Sequence, residues 1–70
     1  MTLKEAKLGV TYRVSEVLTQ DEELNAFLLS LGCYNGGEIT VVSRLKSGCV
    51  VSLKDARYHM DNQLAEAILI

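Results

Sequence analysis

The sequence predicts a small, mainly β fold, a partly open barrel of about five short strands with one α-helix. Three observations lead there. Short β-branched runs recur between Gly or polar turns, notably Glu38–Leu45 and Cys49–Leu53. Apolar residues follow helical spacing over one substantial stretch, Leu24 to Leu31. With 70 residues the chain makes one domain with a small core, and isolated hairpins are unstable, so the strands must curl around that core. The helix would plug one end or cover one side. A flat sheet with one helix is the competing arrangement, but a lone helix would cover too little of it.

Each element has a local cause. Thr2-Leu3-Lys4-Glu5 has the Thr-x-x-Glu form of a capping box and opens a single helical turn closed by Gly9. Thr11 to Leu18 reads as a strand with imperfect alternation: Tyr12 and Val14 share one face and Val17 falls on the other, so a bulge or sharp bend is expected near Ser15. Thr19-Gln20-Asp21-Glu22 is a second Thr-x-x-Glu box, with acidic residues crowding the first turn where the helix dipole favours them. The helix then spans about Asp21 to Leu31. Leu24, Phe27, Leu28 and Leu31 form its core stripe, and Gly32 stands where a left-handed cap is needed. Glu38 to Leu45 is a strand with Ile39 and Val41 on one face and Thr40 and Val42 on the other. Lys46-Ser47-Gly48 is a hairpin turn and Cys49 to Leu53 the returning strand. Lys54-Asp55 makes another tight turn into a short strand, Ala56 to Met60. Asp61 can cap a brief helical turn through Gln63-Leu64-Ala65, and Ile68-Leu69-Ile70 forms the final strand.

Composition narrows the function classes. The net charge of −2 argues against nucleic acid as a partner, since binding there needs a basic surface that releases counterions. Charge is unevenly distributed. No Lys or Arg occurs from Val14 to Ser43, which holds Glu16, Asp21, Glu22, Glu23 and Glu38, whereas Arg44, Lys46, Lys54 and Arg57 follow with Asp55 alone opposing them. The result is an acidic helix start and a weakly basic hairpin, which can orient a partner or simply remain solvated. No apolar run is long enough to span a bilayer, so direct membrane insertion is not expected, and the first five residues carry no signal-peptide core. A cytoplasmic protein is the expectation. Cys33 and Cys49 fit a reducing compartment, where thiols are usually buried or inert. Self-association into a homo-oligomer is compatible with all of this.

No catalytic constellation stands out, and a non-enzymatic role is expected. Cys33 or Cys49 with His59 is formally a Cys–His pair, but nothing in the spacing places the two within hydrogen-bond reach, and Cys49 lies in an apolar strand. A divalent transition metal would accept His and carboxylate ligands. His59 is the lone His, without His-x-His or Cys-x-x-Cys spacing, so no metal site is assigned and His59 is a weak candidate. Gly36-Gly37 lacks the Lys-Ser/Thr partner of a phosphate loop, and no cofactor is implied.

The order of these segments resembles a known family. Leu28-Leu29-Ser30-Leu31-Gly32, then Gly36, then Glu38-Ile39-Thr40-Val41-Val42 resembles the core of FeoA, the small ferrous iron transport protein A. Met1-Thr2-Leu3 with Gly9 resembles its opening and Ala65-Glu66-Ala67-Ile68 its close. The resemblance implies an SH3-like barrel and a cytoplasmic accessory protein of the bacterial Feo system, whose partner is FeoB, a membrane permease with a cytosolic GTP-binding domain. The alternative it carries is a regulatory or metal-sensing module related to the C-terminal domain of iron-dependent transcriptional repressors. Two departures are visible. Asn35 stands where the family often has Pro, which predicts a looser turn, and the Lys46-Ser47-Gly48 hairpin is shorter than usual. The resemblance is densest around the end of the helix. Leu29 lies opposite the core stripe and Tyr34 follows in the turn, so both have apolar surface without an internal use. A partner surface is therefore expected around Leu28, Leu29, Gly32, Tyr34 and Gly36, with the basic hairpin from Arg44 to Arg57 as the next candidate.

Overall fold

The computed structural model describes all residues, 1–70. A 3-10 turn at Leu3–Glu5 is followed by β1 (Thr11–Arg13), β2 (Glu16–Val17), α1 (Glu22–Leu31), β3 (Glu38–Leu45), β4 (Gly48–Leu53), β5 (Ala56–Asp61), α2 (Asn62–Ala67) and β6 (Ile68–Leu69). A four-stranded antiparallel sheet has the order β1-β3-β4-β5, and β2 pairs antiparallel with β6. The arrangement is the expected partly open barrel with one substantial helix. The strand count is six because the predicted Thr11–Leu18 strand breaks at Val14-Ser15. Val14 is buried and Ser15 donates its N–H to Leu69 O at 2.8 Å, which turns the chain from the larger sheet to the smaller.

Curvature has a second source. The β3–β4 register runs Val41↔Val51 and then Ser43↔Val50, leaving Val42 as the extra residue of a bulge. A bulge bends the strand and increases its twist, which rolls the sheet around the core. That core comprises Leu3, Val14 and Leu28 with the inward faces of β3 to β6: Ile39 and Val41, Cys49, Val51 and Leu53, Met60 and Ile68. β4 lies between β3 and β5 and buries every second side chain, those on its inner face.

Capping explains the boundaries and corrects two expectations, and burial corrects a third. The Glu5 carboxylate accepts from the Thr2 backbone N–H at 2.9 Å, as the capping box requires. That turn ends at Ala6, however, whose N–H reaches Leu3 O, and Gly9 (φ +77°) belongs to the next turn. At α1 the N-cap is Asp21, whose Oδ1 accepts from Leu24 N–H at 3.1 Å, in place of the Thr19 box. Thr19 Oγ1 instead accepts from Asp21 N–H, one step before the helix. Asp61 caps α2 through Leu64 N–H at 2.7 Å. Finally, Phe27 is 54% exposed, so the helix presents Leu28 to the core with Leu24 and Leu31 at its margins, and Phe27 is not a core residue. The barrel is too small for an apolar face of four large side chains to be covered.

Candidate functional site

The end of α1 is built by two glycine-dependent turns. Gly32 adopts φ +96° and donates its N–H to Leu28 and Leu29 carbonyls, while Cys33 N–H reaches Leu28 O at 2.9 Å. This is the left-handed helix stop the sequence calls for, and it satisfies carbonyls that would otherwise be orphaned. Tyr34 to Gly37 then form a β-turn closed by Gly37 N–H to Tyr34 O at 2.8 Å. Gly36 takes φ +92° at its third position, where a type II turn demands positive φ, and Asn35 fills the second position, which also suits Pro. The turn is thus closed by a hydrogen bond with Asn at that position. It is tied to the barrel corner by Gly36 N–H to Val14 O and Val14 N–H to Gly37 O, both 2.8 Å.

These constraints sort the five residues of the expected surface. Leu28 is 1% exposed and points into the core. Gly32 is also buried, because the Lys54 side chain crosses it; a Cβ there would lie 2.9 Å from Lys54 Cδ and Cε. Neither can touch a partner directly, which corrects their inclusion as contact residues: they shape the site from beneath. Gly36 is exposed in the turn. Leu29 (60% exposed) and Tyr34 (37% exposed) carry the accessible apolar surface. They line one groove of about 320 Å³ together with Val17, Ala26, the edge of Cys33, and the polar Glu16, Asn25 and Asn35. The Lys54 ammonium sits 5.3 Å from the centre of the Tyr34 ring, a cation–π contact that helps hold the ring at the groove.

Val17, Ala26 and Lys54 were not legible as site residues. Ala26 could have been found, being one helical turn before Leu29. Val17 and Lys54 reach the site through pairings distant in sequence.

Other candidate groups stand apart. His59 is exposed on β5, its Nε2 3.3 Å from Ser47 Oγ, and no cluster of three or more His, Cys, Asp or Glu side chains forms that could hold a metal ion. Cys33 and Cys49 are both buried. Burial pushes the Cys33 thiol up to about 11. The Cys49 thiol is raised for the same reason, with the charge of Arg44 opposing the rise. Both therefore remain protonated at neutral pH and are poor nucleophiles and metal ligands. Within the basic hairpin, Arg44 is already used: its Nη2 donates to Leu3 O and Ala6 O at 3.1 and 2.6 Å, clamping the first turn. No helix is long and apolar enough to cross a membrane.

Known proteins share this fold. The solution structure of iron(II) transport protein A from Clostridium thermocellum superposes with a TM-score of 0.85 at 23% identity, over 97% of this chain and 43% of that one. FeoA of Stenotrophomonas maltophilia in complex with zinc, described as a prokaryotic SH3 domain protein, gives 0.82 at 23% identity over 99% of this chain and 87% of that one. A manganese-dependent transcriptional repressor gives 0.83 at 21% identity, over 97% of this chain and 39% of that one. The chain thus spans under half the length of two of these neighbours, and at such identities the likeness establishes the fold, which is SH3-like. No curated protein sequence matches the chain. Family comparison matches residues 1–70, the entire chain, to the FeoA domain, and the chain belongs to the FeoA family.

Proposed function

We propose that this protein is a non-catalytic cytoplasmic accessory factor of ferrous iron uptake that binds a FeoB-type GTPase-permease through the groove beside Leu29 and Tyr34. The observation that carries this reading is the convergence of those two exposed apolar side chains on one groove, held by a turn anchored to the barrel. Exposed apolar surface of this kind marks an interaction site, and a Tyr at the centre of an interface often dominates its energetics. Family membership supplies the iron-transport context. The rigid support matters too: a surface held by backbone hydrogen bonds loses little freedom on docking.

The test is direct binding of the purified protein to the solubilised permease of the same cell, measured by biolayer interferometry. Leu29→Ala and Tyr34→Ala should each weaken binding by about tenfold while remaining folded. Wild-type affinity in both variants would place the docking surface elsewhere, with Lys46 and Arg57 of the basic hairpin next.

A second reading, a metal-sensing module, draws on the fold shared with the manganese-dependent repressor. Anaerobic calorimetry separates the two. Stoichiometric ferrous iron binding at micromolar affinity or tighter that His59→Ala abolishes favours the sensor.

A further inference from the structure

A larger groove, of about 630 Å³, lies where the N-terminus of α1 meets α2, away from Leu29 and Tyr34. Its apolar lining includes Leu18, Leu24 and Leu64, of which Leu18 is 55% exposed. Its charged lining is entirely acidic: Asp21, Asp61 and Glu66. Glu66 is partnered by Lys4 at 2.9 Å, an exposed ion pair that leaves Asp21 and Asp61 as the unneutralised charges. Phe27, one helical turn beyond Leu24, is 54% exposed and extends the apolar strip along α1 outside the groove itself.

An apolar floor with a rim of one charge sign selects an occupant of complementary pattern. We propose that this groove docks a basic amphipathic segment, its apolar side chains against Leu18, Leu24 and Leu64 and its Lys or Arg side chains at Asp21 and Asp61. The segment is assigned to the membrane protein of the preceding section, and in that respect the inference rests on that reading. Segments bordering the cytoplasmic end of membrane-spanning helices carry an excess of Lys and Arg, and such a segment presents the required pattern. The two grooves would then engage one partner at two points, with the acidic one steering and the apolar one anchoring.

The capping chemistry makes the charge testable without damaging the fold. Both Asp residues are N-caps, and Asn caps equally well, so Asp21→Asn with Asp61→Asn removes two charges and keeps both hydrogen bonds. The probe is a synthetic peptide of roughly 15 residues with Leu at i, i+3, i+4 and i+7 and Lys elsewhere, with a Glu-for-Lys control. It is titrated into the isotope-labelled protein and followed by amide chemical shifts. Saturable shifts at Leu18, Leu24 and Leu64, weakened at least about fivefold in the double Asn variant and by added salt but unchanged in Leu29→Ala, are expected. Equal binding of the Glu peptide, shifts centred on Leu29 and Tyr34, or self-association that covers the groove before peptide is added would each overturn the proposal. Permease binding that depends on Leu29 and Tyr34 without any Lys-peptide binding would sink this inference and leave the functional reading intact. Peptide binding at the groove without permease binding would remove the functional reading and leave the groove's preference for a basic segment standing.

Discussion

Leu28 and Leu29 are neighbours in sequence with opposite roles, so truncating each in turn separates folding from docking. Leu28 is 1% exposed in the centre of the core, and replacing a buried Leu by Ala costs about 3 kcal/mol through lost burial and the cavity left behind. A 70-residue domain has a stability of only about 4–10 kcal/mol, so this is a large share. In a domain of this size each kcal/mol moves the melting temperature by about 4–8 °C, so Leu28→Ala should lower it by about 12–24 °C. Leu29 is 60% exposed, so Leu29→Ala should move it by only a few degrees. Complete burial of a Leu side chain contributes about 2 kcal/mol, so covering the exposed three-fifths against a partner contributes about 1.2 kcal/mol, or roughly eightfold in Kd. Circular dichroism melts and a binding titration on the same preparations decide the matter. A Leu29→Ala protein that melts as early as Leu28→Ala, or that binds the permease as wild type does, would refute the division of roles.

Three further outcomes are expected. Gly37→Ala should be destabilised by about 1–3 kcal/mol, because its Cβ would clash with Gly32 O and crowd Tyr34 O at 3.1 Å, both backbone atoms that cannot swing aside; an unchanged melt would show that the turn is slack. Cys33 should resist alkylation by iodoacetamide at pH 8 in the folded protein and react on unfolding. Its folded pKa of about 11 exceeds the ordinary 9.0, so the folded state holds the extra proton and stability falls as pH rises from about 9 through 11; a Cys33→Ala variant should show a shallower loss across that window. Phe27→Ser should leave the melting temperature within a few degrees of wild type, since Phe27 is 54% exposed, and a large fall would restore it to the core.

The elements that were legible in the sequence depend on neighbours within a few residues. Gly32 as a left-handed stop, Asp61 as a cap, Lys54-Asp55 as a tight turn (φ +48° and +68°) and Glu38–Leu45 as a strand all follow from local backbone chemistry. The N-cap of α1 is Asp21 and not Thr19, two residues earlier, because both offer a capping oxygen and only the path of the incoming chain selects between them. At the candidate site, the off-stripe position of Leu29 and the turn position of Tyr34 were readable from helical spacing. The groove between them was not, because Val17 arrives through the β2–β6 ladder and Lys54 through the β4–β5 hairpin.

Residue order suffices for most of the secondary-structure elements, the one substantial helix and the glycine turns, since each rests on short-range sterics, capping and hydrophobic period; the break of Thr11–Leu18 into two strands needs the partner strands. Helical spacing already set Leu28 inward and Leu29 outward, but only the assembled barrel places Lys54 over Gly32 and leaves Phe27, a member of the apolar stripe, in the open, because a barrel this small has one face against which a helix can pack and its width sets how many side chains that face can hide.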